Sequence, residues 1–172
     1  MSYCIQMFDK TFDTNQFCCG NHDLDDYIRR YALQDMKRNL TRVFVATAQN
    51  SNTLAGFFTL SAGSVNCSNL PLELAKKLPR YPIPVALLGR LAVDKFFQGK
   101  GLGSILLAEA CQKVAQASTV LAVAGIMVDA KDQIAVSFYQ HFGFKPLPEN
   151  AKRLFLPVNP IRCAERREAH HL

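Results

Sequence analysis

Several patterns are missing from this chain, and each absence excludes a class of protein. No apolar run is long enough to span a membrane, since the longest candidate, residues 119–128, has the length of a strand. The six cysteines form no C-x-x-C pair, and the four histidines show no ligand spacing apart from the terminal pair His170 and His171. We therefore expect neither a disulfide framework nor a structural zinc site. The N-terminus lacks the basic and then apolar pattern of a signal peptide, so we expect a cytoplasmic protein without a membrane span.

Internal repeats and low-complexity blocks are also missing, while apolar residues are plentiful at 49%. A chain of 172 residues with this composition is long enough for one packed domain. We place that domain at residues 1–163 and expect a polar tail over 164–172. The net charge of +6 and the pI near 9.1 favour an anionic partner.

The hydrophobic spacing predicts an α/β domain around a mixed sheet. Asn21 is a good N-cap for a helix that runs to about residue 39, because Leu24, Tyr27, Ile28 and Tyr31 follow helical spacing. The other expected elements are an entry strand within 1–20, strands over 43–48, 54–65, 85–93, 119–128 and 154–158, and helices over 70–78, 104–115 and 132–142. Gly143 is expected to end the last of these helices, and Phe144 to begin a further extended piece.

The most informative stretch is Gln98-Gly99-Lys100-Gly101-Leu102-Gly103, which lies between an expected strand and an expected helix. The first N–H groups of a helix have no internal acceptor and lie at the positive end of its dipole, and glycines let a phosphate approach the backbone closely. This turn therefore predicts a site for a phosphorylated cofactor. It is not a P-loop, because no G-K-[ST] follows, and it does not fit a Rossmann domain, because an acid in the ribose position is not evident.

Two motifs together resemble the GNAT N-acetyltransferases. Gln98-x-x-Gly101-x-Gly103 after a strand matches their acetyl-CoA loop, and Phe138-Tyr139-x-x-Phe142-Gly143-Phe144 follows one strand and one helix later. The resemblance covers nearly the whole chain. It implies the GNAT fold, in which helices flank a mixed, mostly antiparallel central sheet and a splayed strand pair holds acetyl-CoA.

A narrower resemblance is to the GNAT toxins of type II toxin–antitoxin systems. It is carried by Phe17-x-Cys19-Gly20, by Leu24-Asp25-x-Tyr27 before a basic helix, and by Leu88-Gly89-Arg90-Leu91-Ala92-Val93-Asp94. The resemblance implies acetylation of the α-amino group of aminoacyl-tRNA and inhibition of translation. It also implies a ribbon-helix-helix antitoxin as partner and a homodimer.

The resemblance assigns roles to particular residues. Tyr139 matches the tyrosine that protonates the leaving thiolate, and a phenol with a pKa of about 10 is protonated at neutral pH. Backbone groups of Leu91, Ala92 and Val93 match those that bind the pantetheine arm and the thioester carbonyl. The other residues expected to bind the cofactor are Gln98, Gly99, Lys100, Gly101, Leu102, Gly103, Ser104 and Phe138.

Basic residues that act together are expected to contact phosphates of the tRNA. They are Arg29, Arg30, Lys37, Arg38, Arg42, Lys76, Lys77, Arg80 and Arg90. Arg90 lies inside an apolar strand and either lines the channel for the acceptor end or pairs with a buried acid. Any one of these residues, taken singly, is more typical of a solvated helix face, so the expectation depends on several acting together.

No convincing general base is evident, because Asp94, Glu109 and Asp129 are candidates only by proximity in sequence. An α-amino group, with a pKa of about 7.7–8.0 in peptides, needs less help than a lysine amine at about 10.4. Two other readings stay open. One is an acetyltransferase for a small amine or a protein N-terminus, and the other is a non-catalytic module that binds RNA or a partner protein and senses acyl-CoA.

Overall fold

A computed structural model of the protein describes residues 2–159. Seven strands form a mixed, mostly antiparallel sheet in the order β1-β2-β3-β4-β5-β7-β6, with one parallel pair, β4 and β5. The strands are β1 Tyr3–Met7, β2 Arg42–Ala48, β3 Leu54–Val65, β4 Ile83–Val93, β5 Gly125–Asp129, β6 Lys145–Pro146 and β7 Arg153–Pro157. The helices are α1 His22–Asp26, α2 Ala32–Lys37, α3 Leu72–Ala75, α4 Leu102–Ala117 and α5 Gln133–His141. The expected α/β fold class is confirmed, whereas the expected domain boundary at 163 and the tail over 164–172 lie outside the described residues.

The chain divides into two compact units. The first unit comprises Met1–Ser61 and Gly89–Ala110, and the second comprises Ala62–Leu88 and Cys111–Leu172, each within its described part. In the first unit β1 pairs with β2 and β2 with β3, all antiparallel. Within residues 2–159, no helix is long and apolar enough to cross a membrane.

The first unit has an aromatic core next to its N-terminal helical segment. Buried Phe17, Tyr27 and Phe57 pack together there with residues of β2 and with Ala92 of β4. Asn21 caps α1 as predicted, because its side chain accepts hydrogen bonds from the N–H groups of Asp23 and Leu24. That cap satisfies donors that the first helical turn leaves without partners.

A π-helical turn, Tyr27–Tyr31, connects α1 to α2 and shifts the helical register. The simple helical spacing placed Tyr31 on the buried face, and this was wrong: Tyr31 is 52% exposed, whereas Ala32 is fully buried. A π turn holds an extra residue per turn, so every residue after it is rotated relative to an α-helix. The helical segment ends at Lys37, and Asn39 adopts a positive φ of 62°.

The second unit contains the parallel pairing and a separate apolar core. Parallel pairing of β4 with β5 runs from Ala86 opposite Ile126 to Leu88 opposite Val128, and β5 pairs antiparallel with β7, which also pairs with β6. Its core is built from Val65, Leu70, Ile83, Val85, Met127, Leu147 and Phe155.

The strand expected over 119–128 was wrong in its first half. β5 begins only at Gly125, while Val120 is 91% exposed and Leu121 is 65% exposed. The N–H groups of Val120 and Leu121 both donate to the carbonyl of Ala117, so they close the end of α4 rather than a sheet ladder. Apolar composition alone does not distinguish a strand from an exposed helix end.

Gly56 of β3 offers a test of packing in the first unit. A Cβ at this position would lie 2.8 Å from the carbonyl oxygen of Ala92 and 2.9 Å from a Leu106 methyl. Because the Ala92 carbonyl is backbone and cannot rotate away, we expect Gly56→Ala to lower the free energy of unfolding by about 1–3 kcal/mol. Denaturant unfolding followed by circular dichroism measures this.

Gly63→Ala is the matched control for that substitution. Its Cβ would also meet an atom at 2.8 Å, but that atom belongs to the flexible side chain of Leu87, which can change rotamer. We expect a smaller loss for Gly63→Ala. Equal unfolding midpoints for Gly56→Ala and the unsubstituted protein would contradict the prediction.

Candidate active site

The glycine turn, residues 98–103, has backbone conformations that favour glycine, and its glycines are uncrowded. Gly99 and Gly101 have φ values of +75° and +84°, which L side chains rarely adopt. Among residues 2–159, and apart from the two flanking residues, no heavy atom lies within 4 Å of a Cβ built on either glycine, so backbone conformation, not crowding, makes these positions glycine. A ligand can therefore approach the backbone of the turn without meeting a side chain.

The helix that follows the turn presents free backbone donors. α4 begins at Leu102, two residues earlier than expected, and its first turn closes when the N–H of Ile105 donates to the carbonyl of Gly101 at 3.3 Å. The N–H groups of Leu102, Gly103 and Ser104 come before that first bond and have no backbone acceptor within residues 2–159. Since α4 is 16 residues long, these donors lie at the positive end of a substantial helix dipole, where an anionic group is stabilised.

The side chain of Gln98 ties the turn to two other segments. Its amide nitrogen donates to the carbonyls of Cys19 and Val93, each at 2.8 Å. Both hydrogen atoms of the amide are thus committed to backbone oxygens. The side chain of Gln98 positions the turn, a role that the sequence did not reveal.

Asp94, just before the turn, fixes the same two segments from the other side. One carboxylate oxygen accepts the N–H of Cys18 and the other accepts the N–H of Phe96, both at 2.9 Å. The N–H of Lys95 donates in turn to the carbonyl of Cys18 at 2.8 Å. We call residues 94–98 with residues 17–20 the loop clamp, because these bonds hold the start of the glycine turn against the chain before α1.

The last residues of β4 differ in burial. Ala92 is buried in the core of the first unit, whereas Leu91 and Val93 are partly exposed. In a strand, successive residues face opposite sides, so Leu91 and Val93 share the face that Ala92 does not use. Beyond the clamp, the Lys100 ammonium lies 4.8 Å from the ring centroid of the exposed Phe96, which is a cation–π contact.

Tyr139 lies in the second unit, on α5. Asp132 caps that helix by accepting the N–H of Ala135 at 2.8 Å, and Gly143 ends it with a φ of +94°. The N–H groups of Phe142 and Phe144 both donate to the carbonyl of Tyr139. Helix α5 and its glycine ending were predicted, and both are confirmed within one residue.

The Tyr139 side chain is held by aromatic neighbours and keeps its proton. Its ring centroid lies 5.3 Å from that of Phe138 and 5.5 Å from that of Phe144, and the residue is only 7% exposed. Burial raises the pKa of Tyr139 to about 12. Within residues 2–159 the hydroxyl of Tyr139 has no hydrogen-bond partner. The oxygen itself is still accessible to solvent. A neutral phenol is therefore available to an external acceptor.

Comparison with known proteins identifies the family. Residues 39–146 match the family model of the acetyltransferase (GNAT) domain. This chain belongs to the GNAT acetyltransferase family. The GNAT resemblance and the GNAT fold are thereby confirmed, and the matched range includes the glycine turn, Phe138 and Tyr139.

Relatives of this GNAT chain are toxins. A tRNA-acetylating toxin of Mycobacterium tuberculosis (strain ATCC 25618 / H37Rv) is 37% identical over 151 residues, which cover 88% of this chain and 89% of the relative. A solved structure of AtaT complexed with acetyl-methionyl-tRNAfMet is 29% identical, with a TM-score of 0.88, and the match covers 95% of this chain and 99% of AtaT. A mutant AtaT toxin bound to the C-terminus of the antitoxin AtaR and to acetyl-CoA is 26% identical, with a TM-score of 0.80 and coverage of 95% and 98%. The toxin branch of the GNAT family, suggested by the motifs, is the one that these comparisons find.

Two of the three carboxylates considered as a general base in this GNAT domain are already engaged. Asp94 accepts two backbone N–H groups of the loop clamp. Asp129 forms a bidentate ion pair with Arg153, with N–O distances of 2.8 and 3.1 Å. Glu109 lies on α4 and is partly buried. These contacts give Asp94 and Asp129 structural roles.

The exposed basic residues expected to contact tRNA fall into two groups, one in each unit. Arg29, Arg30, Lys37, Arg38 and Arg42 are exposed in the first unit, and Lys76, Lys77 and Arg80 are exposed in the second. Two members of the first group also make structural contacts. Arg29 donates to the carbonyl of Phe17 at 2.5 Å, and Arg42 donates to the side-chain oxygen of Asn39 at 2.7 Å.

Arg90 differs from the other basic residues expected to contact tRNA because it is partly buried. Its guanidinium carbon lies 3.5 Å from the centroid of the Tyr27 ring. The alternative that Arg90 pairs with a buried acid was wrong for the described residues, among which it has no ion-pair partner. Its neighbour is an aromatic face.

The loop clamp gives a testable prediction for cofactor affinity. Gln98→Leu removes two hydrogen-bond donors and leaves the carbonyls of Cys19 and Val93 without them. We expect the free energy of unfolding to fall by about 1–3 kcal/mol, since partly buried carbonyls lose their partners. We also expect weaker binding of acetyl-CoA, because the turn loses its anchor; calorimetric titration measures this.

The matched control is Gln112→Leu, because Gln112 is an exposed residue of α4 that makes no side-chain hydrogen bond within residues 2–159. It should change neither quantity appreciably. Unaltered acetyl-CoA affinity in a folded Gln98→Leu protein would show that the clamp does not organise the turn.

Proposed function

We propose that this GNAT domain transfers the acetyl group of acetyl-CoA to the α-amino group of an aminoacyl-tRNA, and that it acts as a toxin by inhibiting translation. One observation carries the proposal: a tRNA-acetylating toxin matches 88% of this chain at 37% identity. The geometry supports it, because the open glycine turn and the buried neutral Tyr139 are both present.

The cofactor would be held mainly by backbone groups of the first unit. The free N–H groups at the start of α4 suit a diphosphate, and Lys100 adds positive charge beside the turn. Backbone groups of Leu91, Ala92 and Val93 would hold the pantetheine arm and stabilise the developing oxyanion. The full proposed set comprises these three residues, Gln98, Gly99, Lys100, Gly101, Leu102, Gly103, Ser104 and Phe138.

Tyr139 would supply the proton for the leaving group. When bound, acetyl-CoA provides an acyl group activated as a thioester. As the new C–N bond forms and the C–S bond breaks, Tyr139 would donate its phenolic proton to the leaving sulfur, the amine would release one proton to water, and the phenolate would regain a proton from water. Because burial raises the pKa of Tyr139 to about 12, its hydroxyl is protonated at every physiological pH and can serve as a general acid.

The carboxylates of Asp94 and Asp129 already have hydrogen-bond partners, so neither is free to act as a general base. This favours an acceptor amine that loses its proton easily. An α-amino group has a pKa of about 7.7–8.0 in peptides, against about 10.4 for a lysine side chain. A substantial fraction of such an amine is neutral near pH 7.5, so water suffices to take its proton. The aminoacyl ester of a charged tRNA meets this requirement.

Exposed basic side chains in both units would bind the tRNA backbone. The proposed set is Arg29, Arg30, Lys37, Arg38, Arg42, Lys76, Lys77, Arg80 and Arg90. Contacts of this kind give affinity that falls with salt and depends little on sequence. The net charge of +6 supports an anionic partner of this type.

Three further features belong to the same proposal: a ribbon-helix-helix antitoxin as the neutralising partner, a homodimer, and action in the cytoplasm, where charged tRNA is found. A mutant AtaT bound to the C-terminus of the antitoxin AtaR is the structural neighbour that supports an antitoxin partner.

The decisive experiment is incubation of the protein with labelled acetyl-CoA and bulk charged tRNA. We expect label on the amino group of the aminoacyl moiety, released together with it by mild base. Uncharged tRNA and a polyamine such as spermidine serve as parallel acceptors. Label on spermidine alone would overturn the proposal and favour a small-amine acetyltransferase, and no label on any acceptor would favour a non-catalytic module.

A further inference from the structure

The guanidinium of Arg90 packs one face against an aromatic ring, and its hydrogen-bond donors are free. Its guanidinium carbon lies 3.5 Å from the centroid of the Tyr27 ring, close enough for a cation–π contact. Within residues 2–159, the side chain of Arg90 makes no hydrogen bond and no ion pair. A guanidinium carries five N–H donors in a rigid planar fork that matches phosphate geometry. Tyr27 occupies only the face of that plane, so the donor edges stay free.

The aromatic side chain under Arg90 is itself rigidly held. Tyr27 is only 5% exposed, and its ring stacks on Phe57 with centroids 6.5 Å apart. Its hydroxyl donates to a carboxylate oxygen of Asp35 at 3.0 Å. Burial and this hydrogen bond raise the pKa of Tyr27 to about 12, so the hydroxyl stays a donor. Tyr27 is the first residue of the π turn and belongs to the core of the first unit.

The position of Arg90 in the strand relates it to the proposed chemistry. It immediately precedes Leu91–Val93, the backbone segment proposed to hold the thioester. An acceptor amine must reach that thioester, so groups bonded close to the amine come near the start of the segment. In an aminoacyl-tRNA the nearest anionic group is the phosphodiester that joins the last two nucleotides.

We propose that Tyr27 and Asp35 form a platform that orients Arg90 to bind the terminal phosphodiester of the acceptor end. Arg90 is the binding residue, and Tyr27 and Asp35 are positioning residues that act through it. This inference rests on the proposed function and adds the chemical group that Arg90 recognises. The cation–π contact with Tyr27 leaves the hydrogen-bond donors of this partly buried arginine without an anionic partner among residues 2–159, and a phosphodiester would supply one.

The test compares two acceptors, of which only the second carries the terminal phosphodiester, together with its cytidine. One is 3′-aminoacyl-adenosine and the other is 3′-aminoacyl-cytidylyl-adenosine, prepared with each of the twenty amino acids. For Arg90→Gln we expect kcat/KM on the dinucleotide to fall about 10- to 100-fold more than on the nucleoside, which is the range for a hydrogen bond to a charged group. Arg153→Gln is the matched control, because Arg153 is occupied by Asp129.

The platform residues are tested with the same two acceptors. Tyr27→Phe keeps the ring under Arg90 but removes the bond to Asp35, so we expect a smaller excess loss on the dinucleotide, mainly in KM. Asp35→Asn still offers an oxygen to the Tyr27 hydroxyl and should retain the dinucleotide preference. Thermal unfolding of each variant separates this effect from general destabilisation.

The outcomes separate failure of the inference from failure of the proposed function. Equal losses on both acceptors in a folded Arg90→Gln protein would overturn the phosphodiester site while leaving aminoacyl-tRNA acetylation intact. If the unsubstituted protein acetylates neither ester but does acetylate spermidine, the proposed function fails and this inference falls with it.

Discussion

Replacing Tyr139 with Phe is expected to lower the turnover number by about 100- to 10,000-fold, the range for loss of a positioned general acid. The substitution removes one oxygen atom and keeps the ring that packs against Phe138 and Phe144. Because the hydroxyl has no hydrogen-bond partner within residues 2–159, its removal should not destabilise the fold. Acetyl-CoA affinity should also persist. Steady-state kinetics together with calorimetric titration of acetyl-CoA measure both quantities.

The pH profile gives a second readout of the same residue. Since the pKa of Tyr139 is raised to about 12, loss of its proton should not reduce the rate of the unsubstituted protein below about pH 11. The rise in rate on the acid side should instead follow deprotonation of the acceptor amine. Tyr81→Phe is the control, because Tyr81 is 67% exposed. A turnover number of Tyr139→Phe equal to that of the control would exclude Tyr139 from the chemistry.

Local signals in the sequence predicted much of the candidate site. The glycine turn between a strand and a helix, the Asn21 cap and the end of α5 at Gly143 each depend on neighbouring residues. Such features follow from backbone conformation and helix-end hydrogen bonding, which act over three or four residues. The same local logic failed over 119–124, where the exposed end of α4 and the start of a strand have similar composition.

The loop clamp and the Arg90 platform could not be predicted in this way. Gln98 bonds to Cys19, which is 79 residues earlier in the chain, and Asp94 bonds to Cys18 over 76 residues. Arg90 and Tyr27 are likewise far apart in the chain, on β4 and at the start of the π turn. Contacts between distant segments depend on tertiary packing, which hydrophobic periodicity does not encode.

The motifs that distinguished the toxin branch are explained by these contacts. Phe17-x-Cys19-Gly20 supplies the backbone that Asp94, Gln98 and Arg29 bind. Asp25 is buried and accepts the N–H of Cys19 at 2.9 Å. The chain before α1 is thus fastened both to α1 and to the start of the glycine turn. Residues that resembled a family signature therefore hold the turn in place, whereas backbone N–H groups are the proposed contacts to the cofactor.

Replacing Gly101 with Val is expected to weaken acetyl-CoA binding by about 10- to 100-fold. Gly101 has a φ of +84°, a conformation that a β-branched L residue avoids, so the turn would have to change its backbone dihedrals. A changed turn misdirects the N–H groups at the start of α4, and each lost hydrogen bond to a charged phosphate costs about 1.5–3 kcal/mol. Isothermal titration with acetyl-CoA measures the dissociation constant.

Two further variants separate conformation from crowding and from general strain. Gly101→Asn should retain more affinity than Gly101→Val, because Asn tolerates positive φ and, in the part of the chain that the structure describes, only the flanking residues come within 4 Å of the added Cβ. Asn50→Val places the same β-branched side chain at a φ of 63° in the turn between β2 and β3, so it should destabilise the protein without weakening acetyl-CoA binding. If Gly101→Val binds acetyl-CoA as tightly as Asn50→Val does, the glycine turn does not bind the diphosphate. A distorted turn could not keep full affinity if its N–H groups were the donors to the diphosphate.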